Sequence, residues 1–120
     1  MRQLGQILVT IQIPVGAVNI DAVVQTVAST LEPTRVETGC LTYYCSRCVE
    51  DPNALLIVQR WATEDDFQAH VRSKTFRVLL EALESSSRAP EFAIHHVSST
   101  AGLDGLQRFQ DESPVEQRTP

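Results

Sequence analysis

No stretch of this 120-residue chain approaches the roughly 18 consecutive apolar residues that a membrane-spanning helix needs, although 42% of its residues are hydrophobic. Basic residues are also thin: ten Lys and Arg stand against fifteen Asp and Glu, for a net charge of −5. They are scattered along the chain, so the electrostatic footprint that grips a phosphate backbone or an acidic lipid surface is missing. Neither nucleic acid nor a membrane is expected as a partner. A small neutral or weakly charged ligand fits better, or another protein.

Cysteine is scarce and odd in number, with three residues. The N-terminal MRQLGQILVTIQI has one Arg, alternating apolar residues and no small-residue cleavage site. It reads as a first strand and not as a signal peptide. A reduced, cytoplasmic setting is therefore expected. The stretch CLTYYCSRC sets Cys45 and Cys48 two residues apart, but a second C-x-x-C and an H-x-x-x-H are both lacking, so zinc would be short of ligands. In a strand, residues three apart point to opposite faces, and reactive pairs instead sit at helix N-termini where the dipole lowers the thiol pKa. Cys45 and Cys48 read as ordinary small strand residues, and Cys40 as packing. No metal site is expected at these cysteines.

What is present is a clear alternation of patterns. Residues 6–13, QILVTIQI, are β-branched and end at Pro14 and Gly16, which predicts a strand. A helix opens near Asn19 or Asp21, with Ile20, Val24, Val27, Ala28 and Leu31 at helical spacings, and Pro33 should kink or end it. After Gly39, residues 40–49 and 54–61 flank the turn signal Glu50-Asp51-Pro52-Asn53 and read as an antiparallel hairpin. Thr63 followed by Glu64, Asp65 and Asp66 is a hydroxyl cap with carboxylates in the first turn. Ser73 is a candidate cap for a further segment carrying Phe76, Leu79, Leu80 and Leu83. Residues 91–98, EFAIHHVS, give a last strand.

The order β-α-β-β-α-β predicts an α+β, ferredoxin-like fold: a four-stranded antiparallel sheet with two helices on one face. Residues 1–99 form this domain. Residues 100–120 are an extension in which Leu103, Leu106 and Phe109 are expected to dock, on this chain or a partner subunit, before a disordered end. Two helices leave one sheet face bare. Yet the third strand is apolar at both parities, Leu56 and Val58 on one face, Leu55 and Ile57 on the other. A second sheet is the simplest cover, so a homodimer through the sheet face is expected.

Gly39-Cys40-Leu41 with Tyr43, then Glu50-Asp51-Pro52-Asn53, Trp61, His70 and Phe76, resembles the antibiotic biosynthesis monooxygenase (ABM) family of dimeric α/β-barrel proteins, which includes quinol monooxygenase-like members. The likeness spans roughly residues 6 to 98, and Gly102-Leu103 looks like the family's C-terminal extension. It implies a pocket between sheet and helices and oxidation of an electron-rich aromatic, a quinol or polyketide-like phenol, by O2 without a bound cofactor. Such a substrate supplies the electrons itself, and the protein binds the ring, favours its anion and excludes water. The fold also carries other chemistries. One alternative is a non-catalytic, ligand-binding or stress-associated dimer. Another is haem degradation with His70 as ligand, against which QILVTIQI offers no Asn on the first strand.

Three residues are singled out on that resemblance. Trp61, the only tryptophan, is either core filling or a wall on which an aromatic ring stacks. His70 borders the apolar stripe of its helix, where histidines are commonly half exposed; the resemblance makes it the general base. Tyr43 would orient a phenolic oxygen, although strands favour tyrosine for packing alone. Tyr43 and Tyr44 point oppositely, as do His95 and His96. Arg60 is expected on the face opposite Trp61 in a surface or inter-subunit ion pair.

Overall fold

The computed structural model describes residues 5–111. Strand β1 spans Gln6–Pro14, β2 Cys40–Arg47, β3 Ala54–Trp61 and β4 Glu91–Val97. They form one antiparallel sheet in the order β2-β3-β1-β4. The expected α+β, ferredoxin-like architecture is observed, with strand limits within two residues of those read from the pattern.

Each of the two expected helical regions is a pair, the second divided at Ser73 as its candidate cap suggested. The first comprises α1, Ile20–Ser29, and α2, Leu31–Arg35. The break falls at Thr30, whose hydroxyl donates to the Val27 carbonyl at 2.6 Å. Pro33 lies inside α2 at its third residue, where its missing N–H costs nothing because first-turn N–H groups have no helical partner. The second pair is α3, Glu64–Val71, and α4, Lys74–Leu83. Thr63 caps α3 by accepting the Asp66 N–H at 3.1 Å, and Ser73 caps α4 by accepting the Phe76 N–H at 3.1 Å. Asn19 precedes α1, but its side chain donates to the Ser85 carbonyl instead of capping.

Alternation along the central strands sets the two faces. Ile7, Val9, Ile11 and Ile13 of β1 lie opposite Trp61, Gln59, Ile57 and Leu55 of β3, and all eight are buried. Val23 and Val27 of α1 and Phe76 and Leu79 of α4 close over them. Burying one such aliphatic side chain stabilises by about 1.5–3 kcal/mol, so this layer dominates the fold. The other face carries Leu8, Leu56, Val58 and Arg60, half-buried, and an exposed Tyr44. Arg60 does lie opposite in direction to Trp61, and there it donates to Gln6 Oε1 at 2.9 Å and reaches Thr42 Oγ1 at 3.5 Å.

A last helix, α5, spans Leu103–Asp111. Leu103, Leu106 and Phe109, expected to dock, are exposed on this chain. The disordered end expected after them falls at residues 112–120, outside the described residues. No helix among the described residues is long and apolar enough to cross a membrane.

Candidate functional site

The strand β2 does not run straight into its partner. Cys40 pairs with Trp61 and Thr42 with Arg60, so Leu41 is an extra residue and the ladder bulges. Bulges re-aim the side chains that follow them. Here the shift brings both Cys40 and Tyr43, three apart, onto the helix-covered face, with Tyr43 beside Gln59. Tyr43 is buried and Tyr44 exposed, as their opposite parity predicts.

The three residues singled out from sequence meet at this end of the sheet. Trp61 ends β3, and the imidazole of His70, from the last turn of α3, stacks on its indole with centroids 4.7 Å apart and planes at 28°. The rings of Tyr43 and of Phe76 from α4 meet His70 in T-shaped contacts, with centroids 6.2 Å and 5.3 Å away. The elbow between α3 and α4 holds this arrangement, because Ser73 Oγ donates to the His70 carbonyl at 2.6 Å while capping the next helix. His70 is not half exposed as its position on the helix suggested: it is 1% exposed, and Trp61 is 0% exposed.

Two partners escaped the sequence reading. Glu37 lies in the turn before β2, closed by the Cys40 N–H to Glu37 carbonyl bond at 3.1 Å. Gly39 supplies the positive φ of 82° that this turn needs at its third position. The turn carries Glu37 Oε1 to 2.9 Å from His70 Nδ1. A carboxylate only accepts, so Nδ1 carries the hydrogen and Nε2 of the neutral ring keeps its lone pair. Burial pushes the imidazole below the ordinary histidine range, and Glu37 pulls it only part of the way back. The ring is therefore neutral near pH 7. The second missed residue is Gln59, whose Oε1 accepts the Trp61 indole N–H at 2.9 Å. Nothing in the turn sequence marks Glu37, but parity along Leu55, Ile57, Gln59 and Trp61 places Gln59 on the indole's face.

Tyr43 has its own anchor. Thr30 gives its hydrogen to Val27, so at 3.1 Å the Tyr43 phenol donates to Thr30 Oγ1. Burial raises the phenol above the ordinary tyrosine range despite its threonine partners, Thr30 and Thr34. Its proton is thus committed away from His70.

One described cavity, about 140 Å³, is lined by Arg35, Cys40 and Tyr43 at the edge of this site, and the others lie elsewhere. The largest, about 600 Å³, is at the opposite end of the sheet among Gln12, Pro14, Cys48, Ala54, Arg88 and Glu91. None of the three described cavities is lined by Trp61 or His70. Cys45 faces the helices opposite Ile57, and its thiol is pushed up to about 11 by burial, with Cys48 adding to the effect. Among the described residues, no group of three or more His, Cys, Asp or Glu comes together in metal-binding fashion. His96 approaches Glu64 at 4.0 Å, both half exposed.

The family model described as antibiotic biosynthesis monooxygenase matches residues 6–93. No curated protein matches the chain. Among solved structures, a conserved protein from Methanosarcina mazei Go1 is 23% identical, with 78% of this chain and 94% of that one covered and a TM-score of 0.72. A protein from Mycobacterium tuberculosis is 16% identical over 81% and 99% of the two chains, with a TM-score of 0.73. A structure named antibiotic biosynthesis monooxygenase is 19% identical over 78% and 99%, with a TM-score of 0.70. At these identities the likeness is one of fold.

Proposed function

Because the chain belongs to the antibiotic biosynthesis monooxygenase family, we propose that it is a cofactor-independent monooxygenase acting on an electron-rich phenol or quinol, with His70 as the base. The observation that carries this reading is the Glu37–His70 pair, with Nδ1 held at 2.9 Å and Nε2 without a protein partner. Burial keeps the imidazole neutral, and a neutral imidazole with its tautomer fixed is a base aimed through one nitrogen. As the ring takes a proton, the carboxylate stabilises the imidazolium. Glu37, 23% exposed while His70 is sealed, links the pair to solvent.

The chemistry needs no further reductant. Nε2 removes the phenolic proton, and the phenolate gives one electron to O2. The two radicals combine at a ring carbon ortho or para to the oxygen that still carries hydrogen, and the peroxide loses water. Phenol plus O2 becomes quinone plus water: one oxygen atom stays as the new carbonyl and the other leaves with both lost hydrogens. Trp61 supplies an aromatic wall and the Tyr43 ring bounds the site. A second copy packed on the Leu8, Leu56 and Val58 face completes the proposed dimer, which light scattering on a sizing column would measure.

A second reading, a binding module without turnover, is favoured by the complete burial of Trp61 and by the position of the 600 Å³ cleft far from it. One experiment separates them. Oxygen uptake with simple hydroquinones is compared with autoxidation for the wild type and for His70→Asn. Loss of a working base lowers the rate by about 100-fold or more. A folded His70→Asn protein as fast as the wild type removes His70 from the mechanism, and no uptake by the wild type above autoxidation leaves the binding reading.

A further inference from the structure

At the end of the sheet away from Trp61, the cleft of about 600 Å³ has walls that hydrogen bonds tie down. Its floor lies where β1 ends and β3 begins, at Ile13, Pro14, Ala54 and Leu55. On one side, the turn between β2 and β3 is closed by the Ala54 N–H on the Asp51 carbonyl at 2.9 Å and the Asn53 N–H on Asp51 Oδ1 at 3.1 Å. The Asn53 carbonyl in turn accepts the Gly16 N–H at 3.0 Å. On the other side, the segment after α4 is clamped to the end of β1. Ser87 donates to the Pro14 carbonyl through its N–H at 2.9 Å and through Oγ at 2.7 Å. A preformed cleft of this size is in the range of small-molecule sites.

Its charges say what would fill it. Glu50 and Asp51 stand on the turn, and Arg88 and Glu91 on the segment that leads into β4. The strand order puts these two groups on either side of β1, two strand spacings or about 10 Å apart at the backbone. Arg88, Glu50 and Glu91 make no hydrogen bond or ion pair among the described residues, and Asp51 spends one oxygen on its own turn. Three carboxylates against one guanidinium leave the lining net negative, so a simple anion is repelled. A simple cation leaves Arg88 unpaired beside it. A metal ion is short of ligands, because among the described residues the carboxylates do not gather in threes. We infer that the cleft binds an organic zwitterion. Its carboxylate takes the fork of Arg88, its ammonium group faces Glu50 and Asp51, and its apolar body lies over the floor. This goes beyond the phenol-oxidase reading and does not depend on it.

Calorimetric titration at low ionic strength and neutral pH tests the inference with three probes that share an aliphatic body. ε-Aminocaproate carries both charges, caproate the carboxylate alone and hexylamine the ammonium alone. The wild type binds ε-aminocaproate about tenfold or more tighter than either, the worth of one charge-assisted hydrogen bond. Arg88→Gln brings its Kd to that of hexylamine, and Glu50→Gln combined with Asp51→Asn brings it to that of caproate. All three side chains are exposed, and an amide oxygen at position 51 still closes the turn, so both variants fold, as circular dichroism checks. A wild type that takes caproate or hexylamine as tightly as ε-aminocaproate overturns the inference. So does a selectivity that survives in either folded variant. No heat with ε-aminocaproate at millimolar concentration overturns it too, and leaves the cleft to water. His70→Asn, at the other end of the sheet, leaves these ratios unchanged, so their failure and that of oxygen uptake are read separately.

Discussion

Replacing Glu37 with Gln tests the pair on which the site is built, through stability alone. The amide still accepts the His70 Nδ1–H, so the 2.9 Å contact survives and only the charge is lost. A charge-assisted hydrogen bond is roughly twice as strong as a neutral one, so Glu37→Gln costs about 1 kcal/mol at pH 8. The pH dependence is more telling. Burial holds the folded imidazole below the usual range, and Glu37 opposes that shift. The unfolded chain therefore takes a proton at His70 where the folded chain does not, and stability rises with pH across that window. It is fully present above about pH 6.5, the ordinary histidine value, and is lost as pH falls toward the folded value. Without the carboxylate the folded value drops further and the window widens downward. The gap between wild type and variant is constant while both proteins lose stability, and it opens below the wild type's own folded value, where the variant alone keeps losing, by at most about 1.4 kcal/mol per pH unit. Urea titrations followed by Trp61 emission, carried from pH 8 down until the wild-type curve levels off, measure it, and the half-exposed His96 beside Glu64 cancels between the two proteins. A gap that fails to open once the wild-type curve has levelled off refutes the assignment of the buried imidazole to Glu37.

Two further outcomes are expected. Gly39→Ala loses about 2 kcal/mol or more, since its φ of 82° disfavours any side chain and the added Cβ would run into the Asp66 carboxylate; an unchanged melting temperature would contradict the turn that carries Glu37. Cys45, with its thiol near 11, is only about one part in a thousand thiolate at pH 8. It should be the slow thiol toward an aromatic disulfide reagent in the native state and become fast in urea, as mapped by mass spectrometry; equal rates would place it in solvent.

Strands and their faces were legible because period-two patterning survives in them: the alternation of Leu55, Ile57, Gln59 and Trp61 is the buried face itself. Helix ends were legible where a hydroxyl caps them, as at Thr63 and Ser73. The break at Thr30 was not, because it is made by a hydroxyl bonding back to its own helix, and Pro33, the obvious breaker, sits where a helix tolerates it. Of the site, Tyr43, Trp61 and His70 came from family resemblance, and the structure brings them together. Their geometry did not follow from spacing, because the bulge at Leu41 resets the parity of β2. Glu37 was invisible for a related reason: it lies in a turn, where no periodicity ties a side chain to the core, and 33 residues separate it from His70.

The strand order has a consequence for how the chain is made. β1 leaves the ribosome first, yet it lies inside the sheet, and its neighbours are β3 and β4, whose pairing residues end at Trp61 and Val97. Until those segments emerge from the exit tunnel, Ile7, Val9, Ile11 and Ile13 have nothing to pair with, and a nascent chain shows them to chaperones and to other unfinished chains. Closing such distant pairings is slow, and a translational pause before β4 would leave one edge of β1 unpaired.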